Sequence, residues 1–139
     1  MTQSLTDLTH RLIDAAKAAG ADSADAVAIS GTSVNIDVRN SVLEEAQRSE
    51  STDIGLRIFV GHKSANVSAS DTSDRTVEEM AHRAVAMANE APEDPHAGLA
   101  DATQLATDID ATRLDLMDAG AEPDPAWLEE QARVAEAAA

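Results

Sequence analysis

Large apolar side chains recur every three or four residues at the start of this chain. Leu5, Leu8, Leu12, Ala15, Ala16 and Ala19 fall on one face of a predicted helix, and Gly20 is placed to stop it. The period then shortens to two. Residues 24–30 (ADAVAIS) predict a strand of small residues, followed by a turn at Gly31-Thr32. Val34, Ile36 and Val38 alternate with polar residues, the pattern of a half-buried strand. Asn40-Ser41 predicts another turn. Residues 42–50 (VLEEAQRSE) are polar and fit an edge strand or a short helix, with strand the preferred reading. Ile54, Leu56, Ile58 and Val60 alternate again, leaving Phe59 on the other face. Gly61-His62 predicts a tight hairpin, and Ala65, Val67 and Ala69 form the returning strand. Ser73 or Asp74 caps a second helix whose apolar stripe is Val77, Met80, Ala81, Ala84, Val85 and Ala88. Glu78 and Glu79 lie near its positive end, and Pro92 and Pro95 end it. The expected fold class is α+β: an antiparallel β-sheet with two main helices packed on one face, plus an acidic linker and a C-terminal helix.

The pattern weakens after residue 91. Residues 92–123 hold three prolines, two glycines and many aspartates, and predict a connector with a short turn or two. Asp124-Pro125 opens a last helix, with an N-cap followed by proline at the first position. Trp127, Gln131, Val134 and Ala138 share one face of it. The expected organisation is an N-terminal α+β domain over 1–91, an acidic connector over 92–123, and over 124–139 the start of a helix leading into a further C-terminal part. No Gly, Asn or basic residue closes that helix, which suggests an N-terminal fragment of a longer protein.

Composition sharpens this division. The chain has 139 residues, with 26 acidic against 10 basic side chains and a formal net charge of −16. Residues 1–90 carry net −6 and residues 91–139 net −10. Such a chain repels phosphate backbones, so no nucleic-acid partner is expected. Alanine supplies 29 of the apolar residues, and only Phe59 and Trp127 are aromatic. Cysteine is absent, which excludes a disulfide scaffold, a thiolate zinc site and a cysteine nucleophile in this chain. No signal-peptide core and no run of about 18 apolar residues occurs, so no membrane partner is expected.

Candidate chemistry is sparse. His82 follows Glu79 by three residues and Glu78 by four, so either pair could face one metal on a helix. A full carboxylate site needs a second such helix and two further acids, which the sequence lacks; a surface or boundary histidine is the simpler reading. His62 sits at the predicted hairpin tip beside Lys63, His10 on the first helix beside Arg11, and His96 in the loop sequence PEDPHAG. Ser64, Ser68, Ser70 and Ser73 follow one another around a strand without a nucleophile elbow or a recognisable base. Asn66-Val67-Ser68 is a glycosylation sequon by pattern only. Asp101, Asp108, Asp110, Asp115 and Asp118 do not have calcium-loop spacing. No catalytic, cofactor-binding or metal-ligating residue is assigned on this basis.

Three stretches carry a family resemblance. They are Ala19 to Asp25 (AGADSAD), Asp53 to Val60 with Ser64 to Asp71 (DIGLRIFV and SANVSASD), and Ala91 to Asp101 (APEDPHAGLAD). In their order and spacing they resemble the N-terminal region of the TldD/PmbA family, named as modulators of DNA gyrase and understood as subunits of a zinc-dependent peptidase. The last stretch is more similar to the PmbA branch, also called TldE. The resemblance implies a cytoplasmic heterodimer that degrades or processes unfolded peptides. The TldD-like subunit would bring the zinc ligands, a His-Glu-x-x-x-His helix and a cysteine. This chain would supply none and bind no cofactor of its own. Its expected partners are therefore a TldD-like peptidase subunit and unfolded peptides, with the polar stretch 42–50 as a candidate edge for either. The alternative is a stand-alone acidic protein-binding module with no catalytic role.

Overall fold

The computed structural model describes residues 4–116, 118 and 120–139. Residues 1–3, 117 and 119, from the expected N-terminal domain and connector, lie outside the described residues. Helix α1 (Leu5–Ala19) is followed by strands β1 (Ser23–Arg39), β2 (Val42–Val60) and β3 (Lys63–Ala69), helix α2 (Asp74–Glu90) and helix α3 (Pro125–Ala138). The strands form one sheet in the order β1-β2-β3, and the fold is α+β as expected. Two compact units divide the chain, one of residues 1–31 with 51–104, the other of residues 32–50 with 105–139. The division falls within β1 and β2.

In the first unit, local chemistry sets the helix ends. The Ser4 hydroxyl accepts the Asp7 amide at 3.0 Å, and the Asp7 carboxylate accepts the Ser4 amide in return. Gly20 ends α1 in the left-handed region at φ 108°, where a side chain would be strained. The next residue, Ala21, donates its amide to the Ala16 carbonyl. Ser73 caps α2 by accepting the Thr76 amide, and Asp71 accepts from Thr76 and Ser73. Those bonds, the Thr76 hydroxyl first, hold the Asp71 carboxyl below the usual carboxylate range.

β2 and β3 pair antiparallel, with Ile54 opposite Ala69, Leu56 opposite Val67 and Ile58 opposite Ala65. Because side chains alternate along a strand, Ile54, Leu56 and Ile58 all point to the helices. There they join Leu8, Leu12 and Ala16 of α1 and Val77, Met80, Ala81, Ala84 and Ala88 of α2 in one apolar core. Alanines from both helices and from β1 and β3 fill the space between the large side chains. This brings helix and sheet backbones close together.

Two expectations fail. Gly31-Thr32 is no turn: β1 runs through it as one strand. Gly31 does not adopt a positive φ, so nothing there reverses the chain. The sheet has three strands, two of them long, where more, shorter ones are expected. Residues 42–50 are strand, as preferred, but they lie within the middle strand of the order, paired to β1. Pairing to β3 covers only residues 54–60.

The second unit centres on a two-stranded ribbon. Asn40 and Ser41 close it with φ of 51° and 59°, the double left-handed turn that matches strand twist. The Ser33 and Ser49 hydroxyls hydrogen-bond across the ribbon at 2.8 Å. α3 starts as expected: the Asp124 carboxylate accepts the Ala126 amide at 2.7 Å, and Pro125 occupies the first turn. The predicted face of Trp127 and Val134 is exposed, whereas Leu128, Glu129, Ala132, Arg133 and Glu136 are half-buried.

Candidate functional site: the open face of the sheet

The sheet of the first unit has one face on the helices. The other carries the odd-numbered residues of β2, Gly55, Arg57 and Phe59, with their even-numbered partners on β3, Ser68, Asn66 and Ser64. A surface groove of about 520 Å³ opens here, lined by Asp25, Val27, Gly55, Arg57, Asn66 and Ser68, among others.

Gly55 makes the groove's floor. A Cβ at this position would meet Val27 Cγ1 at 3.0 Å. Val27 is half exposed and its methyl can give way. We therefore expect Gly55→Ala to change stability by less than about 1 kcal/mol while filling the floor. Urea denaturation of variant and parent checks this.

Arg57 forms one wall. Its Nε donates to Asp25 Oδ1 at 2.9 Å, and a second bond joins the guanidinium to Oδ2. The carboxylate raises the Arg57 pKa, first through the hydrogen bonds and then through charge. The guanidinium also lies 5.3 Å from the centroid of the Phe59 ring. Phe59 is 4% exposed although it points away from the helices. Both members of the ion pair are nearly half exposed, so the pair contributes at most about 1 kcal/mol to stability. Its main effect is to fix a planar cation across the sheet.

The charges of Asp25 and Arg57 compensate each other, and Ser68 stands opposite Gly55 on the ladder. Sequence reasoning missed Asp25 and Arg57, which are 32 residues apart. The Arg57/Phe59 alternation on a strand was the available signal.

The residues considered from sequence are dispersed. His82 and Glu78 do line one cleft, of about 410 Å³, with Asp14 and three alanines of α1. Glu79 turns away to Arg75, 2.8 Å from its Nε. His62 lies on the β2–β3 turn, where its carbonyl accepts the Asp94 amide. The His96 amide donates to Asp94, and the Ser70 hydroxyl donates to Asp53. Asn66 pairs with Arg57 across the ladder. Among the described residues no group of three or more His, Cys, Asp or Glu side chains could hold a metal ion. With no cysteine and four scattered histidines, the side chains present do not fit a zinc site. No helix among them is long and apolar enough to cross a membrane.

The first unit is an alanine-packed α+β layer with one sheet face on the helices and a groove on the other. Residues 24–88 match the family described as PmbA/TldA metallopeptidase domain 1. Through this segment the chain is similar to the TldD/PmbA family. No curated protein matches the sequence. Among solved structures, the chain is similar to a protein of Bacteroides thetaiotaomicron described as "a putative modulator of DNA gyrase". The two share 17% identity and a TM-score of 0.65, over 88% of this chain and 25% of that one. At that identity the likeness shows a shared fold. The chain thus corresponds to about a quarter of the solved structure's length.

Proposed function

We propose that this chain is the N-terminal domain of a PmbA/TldE-like subunit, the zinc-free partner of a TldD-like metallopeptidase. The family match over residues 24–88 carries this reading. The absence of cysteine and the scatter of the histidines support a role without metal. In this reading the domain positions peptide or partner in a cytoplasmic heterodimer, and hydrolysis occurs on the other subunit. The open sheet face suits such a role. It offers an apolar floor at Val27 and Gly55 beside a fixed guanidinium and the amide of Asn66. An extended peptide presents the matching mixture of side chains and carbonyls.

The test is co-purification of the protein with a TldD-like subunit, then cleavage of an unfolded peptide with and without a zinc chelator. We expect cleavage by the pair alone, abolished by chelation. Stoichiometric zinc on this protein by itself, or full cleavage by the partner alone, would overturn the reading.

A further inference from the structure

The ribbon turn of the second unit holds a carboxylate. Glu136, on the last turn of α3, accepts the Asn40 amide on Oε1 and the Ser41 amide on Oε2, each at 2.7 Å. In a two-residue hairpin the amides of both turn residues lie outside the strand ladder and need another acceptor. Here the left-handed conformation of both residues aims them at one point, a concave backbone site of the kind that takes anions. The contact is bidentate and charge-assisted, with short donor–acceptor distances.

The rest of the unit bears on how α3 is held. Pro125, at the start of the helix, lines a small cavity with Val34, Ile36 and Ala46 of the ribbon. Arg48, facing Glu122 and Glu50, ties the preceding segment to the ribbon. From Pro125 to Glu136 the helix rises about 16 Å. From Ile36 to the turn at Asn40-Ser41 the ribbon runs a similar distance, about 15 Å. The helix therefore lies along the ribbon and is fastened at both ends. No large aliphatic side chain of α3 is buried between them, and Trp127 and Val134 are exposed. A helix with so little buried apolar surface depends on its end contacts.

We infer that the Asn40–Ser41 turn is a carboxylate receptor and that Glu136 is its resident ligand. The contact is then a latch. When it is closed, α3 is strapped to the ribbon; when it is open, the turn accepts a carboxylate from elsewhere. A chain terminus and an acidic side chain both offer that chemistry. The inference is independent of the proposed function.

The experiment is amide NMR and hydrogen exchange on the whole protein and on Glu136→Ala. In the parent, the Asn40 and Ser41 amides should be protected and shifted downfield. In Glu136→Ala they should exchange about tenfold faster, the factor matching one lost charge-assisted hydrogen bond. Trp127, the lone tryptophan, should report helix release through its emission. Sodium acetate should then restore both amide shifts saturably in the variant and leave the parent unmoved, while chloride at equal ionic strength does neither. An acetylated peptide with a free C-terminus, compared with an amidated one bearing a single glutamate, identifies which carboxylate source binds. Glu136→Gln keeps an acceptor at the same reach and should fall between parent and alanine variant. It also separates loss of the carboxylate from loss of the helix. Unchanged amides in Glu136→Ala, or no saturable response to acetate or to either peptide, would overturn the inference.

Discussion

Ile58→Ala will destabilise the domain by about 2–5 kcal/mol, the range for emptying a packed aliphatic site. Ile58 is fully buried, lies on the middle strand and stands opposite Ala65 on β3. Its neighbour across the ladder is already small, so no large side chain there can collapse into the space. Leu12 and Met80 belong to the same core, and their helices are fixed by caps at Ser4 and Ser73. The cavity would therefore persist. Ile58→Val removes one methylene and should cost about 0.5–1.5 kcal/mol. Urea melts of the three proteins check the order. A loss below about 1 kcal/mol for the alanine variant would mean that the helices settle onto the sheet.

The opposite substitution should be damaging for the opposite reason. Ala84→Leu adds volume at a position with no exposed surface, on the face of α2 that packs on α1 and β3. Ala81 and Ala88 flank it on the same stripe and are just as buried. Overpacking of this kind typically costs about 1–3 kcal/mol. Ala84, Ala81 and Ala88 hold α2 close to its neighbours, so the upper end is expected. Ala86 lies on the exposed side of the same helix, and Ala86→Leu serves as the control. Leucine is a good helix former, so the control should change stability by less than about 0.5 kcal/mol. A thermal melt of both variants, read by circular dichroism, separates packing from propensity.

How much of this was legible in the sequence depended on how local each cause was. The i, i+4 spacing of Leu8 and Leu12 with Gly20 behind them marked α1. The alternation of Ile54, Leu56 and Ile58 marked β2. Both signals act within a few residues: α1 stands where it is expected, and the alternating stretch is strand, as the end of a longer β2. Gly31-Thr32 misled because glycine marks a turn only where φ becomes positive, and an extended glycine in a ribbon looks the same in sequence. The inward face of α3 was not legible for a different reason. Trp127 and Val134 are its most conspicuous apolar residues, yet Glu136 and its bonds to the ribbon turn face inward. The contacts that shape the sites join Asp25 to Arg57 and Glu136 to Asn40 and Ser41. Each depends on strand register or helix placement, which no local pattern encodes.

The alanine seam between α1, α2 and the sheet also has a thermal consequence. Heat capacity rises on unfolding in proportion to the apolar area newly exposed to water, and a methyl group exposes little. A domain that fills its interior with alanines and few large side chains therefore gains less heat capacity per residue than the usual ~12–15 cal/mol/K. Its stability curve is correspondingly broad and shallow. Such a domain varies little in stability between cold and warm conditions, and it has a low ceiling at any of them.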